Sequence, residues 1–171
     1  MRYYVCYKDI EEKILEDFTN SKIEIKIQAL KSYMFYMKIS RNFKSDSQLK
    51  IIEILNSQKK FDVNKLSNHF EAEGILSGQN KKALVAASKF IWLINKETII
   101  MDNYNREILM TEEGNYNEYY EKWNENFNKR KIELERAIQE LKKIIQDKIL
   151  DEDWFKMRVF DLFLWTIKKQ K

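Results

Sequence analysis

Two adjacent lysines, Lys81 and Lys82, follow a glycine at position 78 and precede an apolar stretch with helical spacing. The first turn of a helix has unsatisfied backbone N–H groups and the positive end of the helix dipole. Two cations there are unfavourable unless an anion compensates them. A solvated first turn is the structural alternative for both lysines. The conflict with the dipole favours a bound anion, and a phosphate is the anion that such helix starts commonly hold.

Positive charge is concentrated in the middle of the chain. The formal net charge is only +4, yet residues 41–96 contain ten basic residues against five acidic ones. The basic residues are Arg41, Lys44, Lys50, Lys59, Lys60, Lys65, Lys81, Lys82, Lys89 and Lys96. We therefore expect any anionic partner to meet this middle segment.

The stretch LSGQNKK, from Leu76 to Lys82, resembles the hairpin of the helix-hairpin-helix DNA glycosylase superfamily. The resemblance covers about residues 75–109. In that superfamily the backbone amides of the hairpin hold a DNA phosphate at a helix N-terminus. The resemblance and the basic segment around it together predict nucleic-acid contacts from Gly78, Gln79, Asn80, Lys81, Lys82 and Lys89.

The same resemblance implies two catalytic candidates. In the superfamily an aspartate after the helix and a short extended stretch stabilises positive charge on the sugar while the base leaves, and Asp102 holds that position. In members that also cleave the strand, a hairpin lysine attacks the sugar as an amine nucleophile, and Lys82 matches it. Asp102 also has a structural interpretation, because an Asp directly before Asn103 is typical of a helix N-cap.

Four aromatic residues follow one another at helical spacing: Tyr116, Tyr119, Tyr120 and Trp123. Such a group forms either a stacking surface for bases or a partner-binding groove when exposed, and part of the core when buried. The spacing favours core packing, with Tyr119 as the most exposed member. We expect His69 to be structural, and Arg158 and Asp161 to form a partly buried ion pair on the last helix.

The composition predicts an all-α fold, since the chain has no proline and only three glycines. We expect one compact domain over residues 1–171, with about seven helices and one short extended segment near 98–101. The predicted helices cover residues 9–18, 22–40, 48–55, 63–73, the stretch after residue 82, the stretch after residue 103, 116–150 with a bend at 126–128, and 154–169. We expect Asp62 to cap the helix at 63–73 and Gly74 to end it.

The composition also limits the type of site and the compartment. One cysteine, Cys6, and one histidine, His69, give no zinc constellation, and we expect neither a metal nor another cofactor. The N-terminal residues have no apolar signal region, and no apolar run approaches the roughly 20 residues of a membrane span. These features predict a cytoplasmic protein without a membrane partner.

Two functions are compatible with these features. The first is a nucleic-acid-binding helical protein, similar to DNA glycosylases but with degenerate or absent catalysis. The alternative is a protein-interaction module, such as a small regulatory or inhibitory helical bundle that uses an exposed aromatic or charged face of the long helix. Binding that weakens steeply with salt is typical of the first function, and a stoichiometric protein partner is typical of the second.

Overall fold

The computed structural model describes residues 2–57, 62–78 and 83–168. Within these ranges the fold is all-α, as the composition predicts, and the only β-type pairing is an isolated bridge between Phe43 and Leu76. The chain divides into two units, an amino-terminal unit from Arg2 to Ile94 and a carboxyl-terminal unit that starts at Asn95. The single domain expected from the sequence stays a prediction.

The amino-terminal unit begins with a helical stretch interrupted by one π-helical segment. Helix α1 (Arg2–Cys6) leads into the π-helix Tyr7–Glu11, and α2 (Glu12–Phe18) continues it. The π-helical segment ends at the buried Glu11, whose carboxylate accepts hydrogen bonds from the hydroxyls of Tyr3 (2.9 Å) and Tyr36 (3.0 Å). The first helical stretch therefore starts well before residue 9.

Helix α3 (Ile23–Tyr36) packs against α2 and α4. It ends earlier than the predicted residue 40, because Lys38 adopts a left-handed backbone conformation with φ of 57°. The N–H of Ile39 donates to the carbonyl of Met34 over this turn. This arrangement satisfies a carbonyl at the end of the helix and directs the chain into the following turn.

Two shorter helices follow, α4 (Gln48–Ser57) and α5 (Val63–Ala72). Asp62 caps α5, since its carboxylate accepts from the N–H of Lys65 at 2.8 Å, and the helix ends before Gly74 with φ of 62°. Both features are those that the sequence predicts. Nε2 of His69 lies 3.4 Å from a carboxylate oxygen of Glu73, and the structural role expected for His69 stays a prediction.

Helix α6 (Leu84–Ile94) lies in the core of the amino-terminal unit and packs against α5. Three phenylalanines, Phe43, Phe70 and Phe90, meet edge to face with ring centroids 5.3–5.6 Å apart. All three are buried, so each contributes a large apolar area to the core. The small residues Ala86 and Ala87 are completely buried and let α6 approach its neighbours closely.

The carboxyl-terminal unit starts with an irregular segment and a short helix, α7 (Asn103–Ile108). Residues 98–101 are not assigned to a strand, although Ile99, Ile100 and Met101 are buried. The carbonyls of Ile99 and Ile100 accept hydrogen bonds from the hydroxyls of Tyr116 (2.7 Å) and Tyr119 (2.9 Å). Tyrosine side chains thus satisfy the backbone groups that a strand partner would otherwise bind.

Two long helices complete the unit, α8 (Tyr116–Lys142) and α9 (Asp153–Lys168), with a 3₁₀ turn at Lys148–Asp151 between them. Helix α8 is continuous over residues 126–128, where the sequence predicts a bend, and it ends before the predicted residue 150. Asp147 caps the 3₁₀ turn by accepting from the N–H of Ile149 at 3.0 Å. Among the described residues, no helix has the length and apolar content that a membrane crossing requires.

Candidate functional site

The turn at Gly78 is anchored to residues 41–44 by backbone hydrogen bonds. The N–H of Ser77 donates to the carbonyl of Asn42 at 2.9 Å, and the N–H of Lys44 donates to the carbonyl of Ile75 at 3.0 Å. Gly78 itself is exposed and has φ of +70°, a conformation in which L side chains are strained. The glycine of the predicted hairpin therefore occupies a turn that favours glycine.

Four of the predicted nucleic-acid contacts, Gln79, Asn80, Lys81 and Lys82, lie outside the described residues. The description resumes at Ala83, whose N–H donates to the hydroxyl of the buried Ser67 at 2.9 Å. Helix α6 begins at the next residue, Leu84. The catalytic role of Lys82 and the phosphate contacts of all four residues stay predictions.

Lys89, the remaining predicted contact, is buried with 6% of its surface exposed. Its Nζ donates a 2.9 Å hydrogen bond to the carbonyl of Met37, at the end of α3. In return, its own carbonyl accepts from the hydroxyl of Tyr33 at 2.6 Å. The ammonium group of Lys89 thus binds the end of α3 inside the unit. This buried position does not support the predicted contact of Lys89 with a phosphate.

The described surface of the basic middle segment is close to neutral. The exposed cations of the amino-terminal unit in residues 41–94 are Arg41, Lys44, Lys50 and Lys65, and the exposed anions are Asp46, Glu53, Asp62, Glu71 and Glu73. Lys50 is in addition 3.1 Å from Glu73, and this pairing lowers the pKa of Glu73. Any excess of positive charge in residues 41–94 therefore depends on Lys59, Lys60, Lys81 and Lys82, which lie outside the described residues.

Asp102 is the N-cap of α7, as its structural interpretation predicts. Its backbone is extended, with φ of −131° and ψ of 143°, and Oδ1 accepts from the N–H of Tyr104 at 2.9 Å. The residue is half-buried. A carboxylate has about four lone-pair sites, so capping is compatible with further contacts, and the catalytic role stays a prediction.

An aromatic pair lies beside this cap. Tyr104 is 50% exposed, and its ring centroid is 5.1 Å from that of Trp165 on α9, with the planes tilted by 50°. Helix α7 packs against α9, which brings these two side chains together. Neither residue is among the site residues predicted from the sequence, although an aromatic ring in the first turn after an N-cap could have indicated Tyr104.

A buried polar cluster connects α8 to α9 within the same unit. The indole Nε1 of Trp123 donates to Oδ1 of Asp161 at 2.7 Å, and Arg158 donates to Oδ2 at 3.2 Å. Burial, with a smaller contribution from the nearby Asp102 carboxylate, raises the pKa of Asp161 against the opposing effects of Arg158 and Trp123. The net result is a pKa raised from 3.8 to about 6. The ion pair predicted for Arg158 and Asp161 is confirmed.

Tyr119 belongs to the interior next to this cluster, so the prediction of Tyr119 as the exposed aromatic residue of α8 is wrong. Tyr119 is completely buried, and burial together with the negative charge of Asp161 raises its pKa well above 10. Tyr120 is instead 48% exposed. Tyr116, Tyr119 and Trp123 share one helical face by their spacing of three and four, which leaves Tyr120 at its edge.

The second half of α8 is largely exposed. Between residues 128 and 142 only Ile138 is buried, and Ile132 is 66% exposed. A groove of about 420 Å³ runs along this part of the helix and the 3₁₀ turn. Its lining is mixed in charge and includes Ile132, Glu135, Arg136, Ile138, Gln139, Lys142, Leu150, Asp151 and Lys156.

In the described ranges, no group of three or more His, Cys, Asp or Glu side chains is placed to hold a metal ion. Comparisons of the chain with protein-family models, with curated proteins and with solved structures gave no match.

Proposed function

We propose that this protein binds nucleic acid through the turn at Gly78 and the residues that lead into α6. The observation that carries the proposal is the order of local structures from Leu76 to Asp102. An exposed left-handed turn at Gly78 comes first, then the buried helix α6, then an irregular segment, and finally a half-buried aspartate at a helix N-cap. The glycosylase resemblance predicts this order.

The chemistry of the proposed contact is phosphate binding by backbone amides and ammonium groups. Lys81 and Lys82 would supply the positive charge, because the described exposed charges of residues 41–94 nearly cancel. Binding of this type releases counterions and weakens as salt concentration rises. Catalysis is a separate step of the proposal, in which Asp102 would stabilise the sugar and Lys82 would act as the amine. The expected compartment is the cytoplasm.

A gel-shift titration of single-stranded and duplex DNA at low ionic strength, repeated at rising salt, tests the binding. We expect Lys81→Ala/Lys82→Ala to weaken binding and to reduce the salt slope by about 1 for each lost phosphate contact. The matched control is Lys129→Ala/Lys131→Ala, which removes the same charge from exposed positions on α8. Absence of binding by the unchanged protein, or equal effects of both double variants, would exclude this contact.

Borohydride trapping on abasic DNA tests the amine chemistry. A covalent product that forms with the unchanged protein and disappears with Lys82→Ala would support a nucleophilic Lys82. DNA binding without any trapped product would leave a binding protein without this catalytic step. The two results separate binding from catalysis.

A second candidate function is protein interaction through the second half of α8. The observation that favours it is the exposure of Ile132 beside the groove, on a helix segment with one buried residue out of fifteen between residues 128 and 142. Helices of this kind commonly pack their apolar side chains against a partner protein. A stoichiometric protein partner that resists nuclease and is lost in Ile132→Glu would support this function. The matched control is Ile144→Glu, which changes a similarly exposed isoleucine after the helix.

A further inference from the structure

Phe35 is the most exposed aromatic residue in the part of the chain that the structure describes, with 82% of its surface exposed. It lies in the last turn of α3, which ends at Tyr36. The preceding residues Tyr33 and Met34 are buried in the amino-terminal unit and pack the helix there. The packing of α3 therefore makes little use of the Phe35 ring, and the ring is open to a ligand.

The chain around Phe35 is basic throughout. Between residues 25 and 45 the sequence has five basic residues and no acidic one; the basic residues are Lys26, Lys31, Lys38, Arg41 and Lys44. Lys31, Lys38 and Arg41 are exposed, and among the described residues none of the three is part of an ion pair. On α8, by contrast, Lys129, Arg130 and Lys143 each pair with a carboxylate of the same helix. The positive charge of residues 25–45 is therefore not compensated within the segment.

Hydrogen bonds connect the end of α3 to the turn at Gly78. The N–H of Lys38 donates to the carbonyl of Phe35 at 3.0 Å, so Lys38 directly follows the turn that carries the ring. Three residues later, the carbonyl of Arg41 accepts from the hydroxyl of Ser77, the residue before Gly78. The exposed ring and these cations therefore belong to one hydrogen-bonded part of the amino-terminal unit, beside the proposed phosphate contact.

Lys31 lies on the same side of α3 as Phe35. The spacing of four places the two side chains one turn apart on one helical face, and both are exposed. The helix dipole favours a cation at Lys38, directly after the helix, but its effect is limited to the last turn. The dipole therefore explains neither Lys31, which lies more than a turn before the end of α3, nor the exposed ring.

Four residues, Lys31, Phe35, Lys38 and Arg41, make up what we call the α3-end surface. We propose that the α3-end surface binds single-stranded nucleic acid, with a base stacked on the Phe35 ring and phosphates of the same strand at the three cations. This inference rests on the proposed nucleic-acid binding and names its substrate as a single strand. An aromatic side chain stacks on any base whose face is open, whereas the base faces of a duplex are covered by neighbouring base pairs.

An anionic membrane is the other partner that cations and an exposed ring attract. A helix that lies on a membrane presents a wide apolar face to the lipid. Next to Phe35 on the exposed side of α3 the side chains are instead polar, namely those of Gln28, Lys31 and Ser32. One ring between polar side chains favours a base over a lipid surface.

Fluorescence anisotropy with labelled oligo(dT) at low ionic strength tests the stacking. We expect Phe35→Ala to weaken binding by about 5- to 100-fold, the usual effect of losing one stacked base. The circular dichroism of this variant should be unchanged, because the ring is exposed. Phe35→Trp keeps a flat ring and should bind at least as tightly as the unchanged protein. Phe35→Leu keeps an apolar side chain without a ring and should bind as weakly as Phe35→Ala.

The matched control for the ring is Tyr120→Ala. Tyr120 is an exposed aromatic residue of the carboxyl-terminal unit, and its removal should leave the affinity for oligo(dT) unchanged. Equal losses in Tyr120→Ala and Phe35→Ala would overturn the stacking.

The double variant Lys31→Gln/Arg41→Gln tests the phosphate contacts. Each lost contact should reduce the slope of log affinity against log salt concentration by about 0.7, so the double variant should lose about 1.4. Lys122→Gln/Lys131→Gln removes the same charge from exposed positions on α8 and should leave the slope unchanged. An equal reduction in both double variants would indicate general charge attraction and overturn the phosphate contacts.

The outcomes separate this inference from the proposed function. If the unchanged protein binds duplex DNA but not oligo(dT), or if Lys81→Ala/Lys82→Ala weakens binding and Phe35→Ala does not, only the α3-end proposal fails. If the protein binds neither DNA, both proposals fail. If it binds phosphatidylserine vesicles instead and Phe35→Ala abolishes that binding, the α3-end surface contacts membranes and the proposal also fails. Oligo(dT) binding that Phe35→Leu preserves would overturn the stacking as well.

Discussion

The indole N–H of Trp123 and the carboxylate of Asp161 are 38 positions apart in sequence and joined by a 2.7 Å hydrogen bond inside the carboxyl-terminal unit. Phe160 packs edge to face on the Trp123 ring, with centroids 5.0 Å apart, and Arg158 binds the second carboxylate oxygen. Asp161 therefore accepts hydrogen bonds on both oxygens while almost completely buried. This arrangement holds α8 and α9 together by a polar contact within an apolar environment.

Replacement of Asp161 by alanine should strongly destabilise the fold. The change leaves the guanidinium of Arg158 and the indole N–H of Trp123 without their carboxylate partner in a buried position. Removing one partner of a buried ion pair typically costs about 3–5 kcal/mol. Urea denaturation followed by circular dichroism measures the free energy of unfolding.

The control for this prediction is Asp153→Ala on the same helix. Asp153 also pairs with a cation three positions later, Lys156 at 2.7 Å, but its side chain is 91% exposed. An exposed pair contributes only about 0–1 kcal/mol. Equal losses in Asp153→Ala and Asp161→Ala would contradict the structural role of the buried cluster.

The stability difference between the unchanged protein and Asp161→Asn should depend on pH. The pKa of Asp161 is raised in the fold from 3.8 to about 6, so the folded state binds a proton more readily than the unfolded state. The contribution of this group to stability therefore decreases as the pH rises from about 4 to about 6, by at most about 3 kcal/mol.

Asp161→Asn removes this titration, and the comparison isolates it from the other carboxylates. We expect the unchanged protein to gain stability relative to the variant as the pH is lowered from about 6 to about 4, because the raised folded-state pKa favours protonation there. Chemical denaturation at a series of pH values measures the difference. A difference that stays constant, or that changes in the opposite direction, would show that the carboxyl pKa is not raised.

The capping role of Asp102 predicts a moderate effect of its removal. Asp102→Ala should lower the free energy of unfolding by about 0.5–2 kcal/mol, because the N–H of Tyr104 loses its acceptor. Asp102→Asn should change the free energy of unfolding much less, since asparagine caps helices equally well.

A base-release assay on damaged DNA tests the catalytic role of Asp102. Loss of activity in Asp102→Asn with unchanged stability would support the catalytic role beside the structural one.

The burial of Lys89 predicts an effect on stability rather than on ligand binding. Lys89→Met keeps the aliphatic part of the side chain and removes the Nζ that donates to the carbonyl of Met37. The unsatisfied carbonyl should cost about 1–3 kcal/mol. Lys65→Met, at an exposed position of the same unit, should have little effect on stability. If Lys89→Met lowered nucleic-acid affinity but not stability, Lys89 would be a ligand contact and not a core residue.

Local features of the fold could be predicted from the sequence because they depend on neighbouring residues. The scarcity of glycine and the absence of proline indicate helices, and the residues that follow Asp62 and Asp102 indicate that both are N-caps. The ion pair of Arg158 with Asp161 could also be predicted from the sequence, since a spacing of three places both side chains on one helical face.

Features that depend on distant contacts could not be predicted in the same way. Lys89 has the same residue type as a surface lysine, and only the end of α3 explains its burial. The interior position of Tyr119 instead of Tyr120 depends on which side of α8 faces α9, a rotation that periodicity defines only approximately. Asp161, the hydrogen-bond partner of Trp123, is likewise brought close only because α9 packs against α8.

The hydrogen bonds between α3 and Lys89 run in opposite directions, from Tyr33 to the Lys89 carbonyl and from the Lys89 ammonium to Met37. Neither sliding of α6 along its axis nor rotation about it can preserve both bonds. The position of Leu84, one and a half turns earlier, is consequently set by the folded core before any ligand arrives. A molecule that binds at the start of α6 would therefore contact a helix end that is already ordered. Binding would not have to order that helix end, so its affinity would be reduced little on this account.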